Sequence, residues 1–431
     1  MTDTTRLQSL LDFLHASPSP YHAVSEARRR LESAGFRPLN EREPWTDVSG
    51  ACFVERGGAL VAWVSRQPDL PTNGFHILGA HTDSPNLRVK PNTSASSAGY
   101  QQVPVEIYGG ALFNSWLDRD LGVSGRVILR SGEIVLVRIE KAIARVAQLA
   151  IHLDRDVNEK GLVLDKQLHV LPMVGLGEFQ GDDFAAWVCR QAGIVHDEVL
   201  AHDLMFHDVN PPGLLGLEDE FVVGARIDNQ FSCWAAVTLL EEGASEWSGS
   251  VPMIALFDHE EVGSSSTTGA AGPLLETVID RMVGVLGLSN DDRARALANS
   301  SCISSDMAHA VHPNYADRHD PGHRPLPNGG PVLKVNANQR YATSAAGAAR
   351  FRAACETAGV PLQVFVSKNS QPCGSTIGPI TATRLGIDTI DVGCAMLSMH
   401  SARELCGSVD ADLFLRALTA YFGGAARRSL A

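Results

Sequence analysis

The run Val251-Pro252-Met253-Ile254-Ala255-Leu256-Phe257 passes without a break into Asp258-His259-Glu260-Glu261, then Val262-Gly263-Ser264. Seven consecutive apolar residues read as a buried core strand. Carboxylates at the mouth of such a strand are costly to desolvate unless a cation or hydrogen-bond donors meet them. Two adjacent glutamates can divide labour, one holding a metal and the other serving as base toward a water. The same four residues also fit an acidic loop at a strand end. Their neighbours in the fold have to decide.

At 431 residues the chain exceeds what one hydrophobic core usually serves, so two domains are expected. Its 44% apolar and 20% charged content is that of a globular protein, and its net charge of −13 argues against a nucleic-acid surface. Eight scattered cysteines without a C-x-x-C pair fit reduced thiols in a cytoplasm better than a disulfide scaffold or zinc ribbon. No basic-then-apolar leader opens the sequence, and no apolar run approaches the roughly 20 residues of a membrane span.

Helices are expected from Thr5 to Ala16, on the stripe Leu7, Leu10, Leu11 and Leu14, and from about Tyr21 to Leu31 after the break Ser17-Pro18-Ser19-Pro20. Strands are expected at Leu60–Val64 and Phe75–Ala80, with a turn from Pro68 to Gly74 between them. The second strand ends in His81-Thr82-Asp83-Ser84-Pro85. That pattern fits a capped turn, or a metal-bound histidine whose other ring nitrogen is oriented by an acid.

From Leu87 to about Glu220 the character becomes β-rich, with candidate strands at Val103–Tyr108, Gly125–Leu129 and Glu133–Val137 and a helix near Phe184 to Ala192. His152, flanked by apolar residues in Ala150-Ile151-His152-Leu153-Asp154, reads on local grounds as a core or interface histidine. The helix-and-strand pattern resumes at Phe221. Asp228 falls on the turn entering the helical run Cys233–Leu240, and Asp306 follows the β-like run Cys302–Ser305; either carboxylate could be a cap. The segment His309–Gly330, with His312, His319 and His323, reads as a solvated or substrate-facing loop. Further strands are expected at Val332–Asn336, Leu362–Val366 and Asp388–Gly393, with helices from Ser344 to Ala358, up to Gly386, and from Ala411 to Tyr421.

Polar residues at the ends of core segments are thus His81, Asp228, Glu260, Glu261, Asp306 and His400. Two histidines with several carboxylates suit zinc or a neighbouring first-row metal, and a two-metal site can share one bridging carboxylate. In open α/β sheets, ligands gather beyond the carboxyl ends of the strands, where these residues fall.

Five collinear stretches, Gly79–Pro85, Ala225–Asn229, Asp258–Ser264, Ser305–Pro313 and Ser398–Glu404, together resemble the aspartyl aminopeptidase family of dizinc metallopeptidases over almost the whole chain. The resemblance implies a zinc-peptidase-like α/β/α catalytic domain, residues 1–86 and 221–431, interrupted by a smaller β-rich dimerisation domain at 87–220. Dimers are expected to assemble into a tetrahedral dodecamer. Carried over residue by residue, Asp228 bridges two Zn2+ ions, His81 and Asp306 complete one site, and Glu261 and His400 complete the other. Glu260 becomes the general base, and Asp83 orients His81. His152 reaches a neighbouring subunit's active site, which reverses its local reading. Lys334 and Tyr341 match positions near the substrate pocket, Lys334 as a partner for an acidic first side chain; on local grounds they read as a solvated strand-end lysine and a packed aromatic.

The expected activity is removal of the first residue of peptides, preferably Asp or Glu, by a water that Glu260 deprotonates. Co2+ or Mn2+ could replace zinc. A related dizinc deacylase or carboxypeptidase could share the metal shell. A non-catalytic shell or cargo protein is a third reading, though it has no need of both the ligand set and Glu260.

Overall fold

The computed structural model describes residues 4–66, 69–181, 183–243, 247 and 249–424. Its largest sheet has nine strands, in the order Arg37–Pro38, Gly50–Arg56, Ala59–Ser65, Val251–Phe257, Phe75–His81, Ser301–Ser305, Asp388–Gly393, Val332–Val335 and Gln363–Val366. The four central strands, from Val251–Phe257 to Asp388–Gly393, run parallel, so their carboxyl ends share one edge. The strands flanking this quartet, Ala59–Ser65 and Val332–Val335, are antiparallel to it.

Every residue of Val251–Phe257 and Phe75–His81 is buried. Because side chains alternate across a strand, each strand feeds two cores. Leu78, Ala80, Ile254 and Leu256 pack with Phe13, Phe231, Trp234 and Phe414 of the helices Thr4–Ala16, Ile227–Gly243 and Asp410–Phe422. Phe75, Ile77, Met253 and Phe257 pack on the other face with Leu274, Ile279, Met282 and Ile377, from the helices Leu274–Val285 and Ile377–Leu385. The result is the expected α/β/α layering. Burying a large apolar side chain is worth about 1.5–3 kcal/mol, so both layers tie the strand quartet firmly in place.

A second, antiparallel sheet is built from Ile134–Ala144, Leu121–Leu129, Val199–Asp208, Asn86–Val89 and Val105–Tyr108. Its core holds Leu87, Val105, Trp116, Val123, Leu204 and Phe206 with Phe184 and Val188 of the helix Phe184–Gln191. The chain therefore has two domains, a large α/β/α unit and a smaller β-rich one.

Most expected elements are present, within a few residues. The helix after the Ser-Pro-Ser-Pro break starts at Pro20, with Ser19 as its N-cap, because proline is tolerated in the first turn. Part of the expected turn before Phe75 is a single helical turn, Leu70–Asn73; Pro68 lies outside the described residues. Strands Gly50–Arg56 and Val199–Asp208 and helices Leu274–Val285 and Asn290–Ala298 are additions to the sequence reading. No helix among the described residues is long and apolar enough to cross a membrane.

Candidate metal centre

The parallel quartet places the site. Phe257 pairs with His81, so the histidine at the end of one strand stands beside the acidic turn that follows the next. That turn is a short 3-10 helix, Glu260–Val262, entered through His259 in the left-handed region at φ 63°. His259 Nδ1 lies 2.9 Å from Ser266 Oγ and 3.2 Å from Thr268 Oγ1, so its ring braces the loop behind the turn.

Asp306 directly follows the strand Ser301–Ser305, and its N–H donates to Val392 O at 3.1 Å. This crossing needs Gly393, where a Cβ would lie 1.9 Å from Asp306 O. Asp228 sits near the start of the helix Ile227–Gly243 with non-helical φ/ψ, and the Asp228–Asn229 peptide is cis. His400 follows the strand Ala395–Leu397 with a positive φ of 68°.

Six side chains converge. His81 Nε2 lies 3.6 Å from Asp228 Oδ1, 3.8 Å from Asp306 Oδ2 and 3.9 Å from Glu260 Oε2. His400 Nε2 lies 3.4 Å from Asp228 Oδ2 and 3.3 Å from Glu261 Oε2. Two groups with the ligand-atom spacing of a metal site result, His81/Asp228/Asp306 and Asp228/Glu261/His400, and they share Asp228; His81, Glu260 and Glu261 form a third such group. Each oxygen of the shared carboxylate faces a different histidine.

The electrostatics call for positive charge. Burial, only partly opposed by His81 and reinforced by Asp306, Glu261 and Asp83, pushes Glu260 up to about 8. Burial and the neighbouring Asp228 push Glu261 up to about 7 against the pull of His400. Burial alone would lower the pKa of His400, but the Asp228 and Glu261 carboxylates beside its Nε2 push it up to about 11. His81 likewise lies well above its ordinary range, because Asp228, Asp83 and Glu260 outweigh its burial. Asp228 Oδ1 and Glu261 Oε1 are buried without a hydrogen-bond partner. Carboxylate oxygens and imidazoles are a donor set that fits Zn2+, which would supply the charge the acids lack.

Asp83 stands behind His81, whose Nδ1 lies 3.0 Å from the backbone Asp83 O and 3.4 Å from the carboxylate Oδ1. The same carboxylate accepts hydrogen bonds from Glu260 N at 3.0 Å and Glu261 N at 3.1 Å. One buried acid thus touches a histidine and the backbone of both glutamates. Tyr108, which the sequence marks only as the end of a candidate strand, donates to Asp83 Oδ2 at 2.7 Å.

A cavity of about 430 Å3 adjoins the cluster, lined among others by Glu260, Lys334, Tyr341, Thr376, Met399 and His400. Lys334 is 2% exposed, and its Nζ donates to Asp306 Oδ1 at 2.9 Å. The local reading of a solvated lysine is therefore corrected: the ammonium is buried because a carboxylate receives it. Tyr341 is buried beside it, with Lys334 Nζ 5.4 Å from its ring.

His152 lies apart from this cavity, on an exposed turn where Ile151 and Leu153 are also exposed. It is not a core histidine of this chain. In the His309–His323 loop, the His312 and Asn314 N–H groups donate to His319 Nε2 and His312 Nδ1. His323 pairs with Asp320, and none of these histidines joins a metal-spaced cluster among the described residues.

The model of the family described as aminopeptidase I zinc metalloprotease (M18) matches residues 13–422. A probable M18 family aminopeptidase 2 of Streptomyces coelicolor is 54% identical over 97% of this chain and 98% of its own length. One of Mycobacterium leprae is 48% identical over 96% and 97%. Among solved structures, a chain of the Ape4 and Nbr1 complex superposes with a TM-score of 0.93 at 35% identity, covering 99% of this chain and 86% of that one. The S. cerevisiae mApe1 dodecamer gives 0.83 at 28% identity, covering 98% and 97%. The converging strand ends, the histidine–carboxylate cluster and a match along nearly the whole length lead to one conclusion: the chain belongs to the M18 family of zinc aminopeptidases.

Proposed function

We propose that this protein is a dizinc aminopeptidase that prefers Asp or Glu as the first residue of its peptide substrates. The observation that carries the metal assignment is Asp228, whose two oxygens face His81 and His400 separately. On this reading Asp228 bridges, His81 and Asp306 hold one ion, and Glu261 and His400 hold the other. Co2+ or Mn2+ can take the same ligands.

When bound, the ions supply Lewis acidity toward the scissile carbonyl and lower the pKa of the attacking water. Glu260 carries the proton. Its Oε2 takes the proton as the water oxygen bonds to the carbonyl carbon, and returns it to the departing amine nitrogen as the C–N bond breaks. Asp83 positions this machinery by holding the Glu260 and Glu261 backbones and the back of His81. Lys334 and Tyr341 line the pocket for the first side chain, and the buried ammonium of Lys334 supports a preference for acids.

Residues 1–86 and 221–431 form the catalytic domain in this reading, and residues 87–220 form a dimerisation domain. The exposed apolar residues Leu149, Ile151, Leu153, Val163 and Leu168 around His152 support burial of that segment against a second copy. His152 then serves the partner's active site as a donor toward the oxyanion. Dimers assemble into a tetrahedral dodecamer, in keeping with the dodecameric mApe1 relative. A cytoplasmic setting accords with the eight unpaired cysteines.

The test is Glu260→Gln. Metal content should stay at the wild-type level while kcat falls by about 10²–10⁴-fold, the usual contribution of a general base. Near-normal turnover would remove Glu260 from the mechanism.

A further inference from the structure

Glu404 opens the strand Glu404–Gly407, opposite Gly224 and four residues beyond His400, and its side chain is 2% exposed. A glutamate buried that deeply must have partners, since an uncompensated charge there would be strongly destabilising. Its two oxygens go to two different places. Oε2 accepts from the Asp228 N–H at 3.0 Å, and Oε1 accepts from the His400 N–H at 2.6 Å.

Both N–H groups belong to residues outside regular secondary-structure geometry. Asp228 has non-helical φ/ψ at a helix entrance, and His400 has a φ of 68°. Ser84 Oγ donates to Asp228 O at 2.7 Å and Leu112 N to His400 O at 3.1 Å, so each carbonyl is held separately, and the Glu404 carboxylate is the one group that receives both N–H groups. It ties together the backbones of the two residues whose side chains meet at 3.4 Å, and it does not itself line the substrate cavity.

We propose that Glu404 is a positioning residue for the metal pair, holding the bridging carboxylate and the His400 imidazole in register so that both point at shared ions. This rests on Asp228 and His400 being ligands. Residues that orient metal ligands from behind typically change metal affinity by about 10–100-fold when replaced. Glutamine has nearly the shape of glutamate, but it turns an NH2 group toward one of the two N–H donors, so Glu404→Gln loses one of the two bonds and keeps the volume.

The experiment is titration of purified, chelator-treated full-length protein with Co2+, followed by visible absorption and by competition with a chelator. Wild type should take up two equivalents. Glu404→Gln should bind at least one of them about 10–100-fold more weakly, with an altered absorption band, while its circular dichroism spectrum is unchanged. If wild type takes up no Co2+, the metal-centre reading itself fails. If wild type binds and Glu404→Gln matches it in affinity and spectrum, the positioning role is overturned. Should Glu404→Gln not fold, Glu404→Asp is measured, since its shorter arm reaches one N–H at a time and should weaken binding likewise. Failure of both variants to fold would overturn the proposal in favour of a purely structural carboxylate.

Discussion

Tyr108 Oη donates a 2.7 Å hydrogen bond to Asp83 Oδ2, across the boundary between the β-rich domain and the histidine–carboxylate cluster. Tyr108 ends the strand Val105–Tyr108, and the guanidinium of Arg88 lies 4.5 Å from the centre of its ring. The smaller domain therefore reaches the acid that braces His81, Glu260 and Glu261. Tyr108→Phe keeps the ring and removes this bond to a buried carboxylate. It should cost about 1.5–3 kcal/mol of stability, read from denaturant unfolding. An unchanged midpoint would show that the bond contributes nothing.

Gly393 is predicted to be intolerant of a side chain. A Cβ there would lie 1.9 Å from Asp306 O, a backbone atom that cannot swing away. Gly393→Ala should shift Asp306 and cost about 1–3 kcal/mol or more. Metal analysis of the purified variant should show less than the wild-type content, and a full complement would contradict the argument.

Lys334 should matter for both folding and substrate choice. Lys334→Met leaves Asp306 Oδ1 without its 2.9 Å partner in a buried setting, where breaking an ion pair costs about 3–5 kcal/mol. Rates on Asp and Glu substrates should fall more than rates on Leu substrates. Equal losses across first residues would confine Lys334 to supporting Asp306.

His22 gives the fold a calculable pH dependence. Burial, followed by the nearby Arg138 and Arg226, lowers its pKa to about 4 from 6.5, and its Nδ1 lies 2.7 Å from Ser19 Oγ. The unfolded chain then takes up a proton below pH 6.5 that the folded chain refuses. The stability present above pH 6.5 is accordingly lost as the pH falls toward 4, by up to about 3 kcal/mol. His22→Asn removes this titration, so the stability gap between wild type and variant should narrow from pH 7 to pH 4.5. Comparing the two proteins at each pH cancels effects common to both, including metal release. A gap that stays constant would contradict the assignment.

Much of the site was legible because it follows apolar runs. His81, Glu260, Glu261 and Asp306 lie at or just beyond strands whose burial is local and continuous in the sequence. The strand Val199–Asp208 was hidden because His202, Asp203, His207 and Asp208 interrupt its pattern; Asp203 is matched by Arg126 at 2.8 Å, a distant partner. The same limit applies to Lys334, whose burial depends on Asp306, and to Tyr108, whose role depends on Asp83. Glu404 carried a visible signal, a glutamate opening the apolar run Leu405-Cys406 just after His400, but its two backbone partners appear only in three dimensions.

The most direct measurement is release of the first residue from peptides beginning with Asp, Glu, Leu or Lys, and from their N-acetylated forms, by the Zn2+-replete full-length protein. Release is expected from the free-amine peptides, fastest for Asp and Glu, and none from the acetylated ones. Absence of release from every free-amine peptide would contradict the aminopeptidase assignment, and hydrolysis confined to the acetylated forms would mark a deacylase instead.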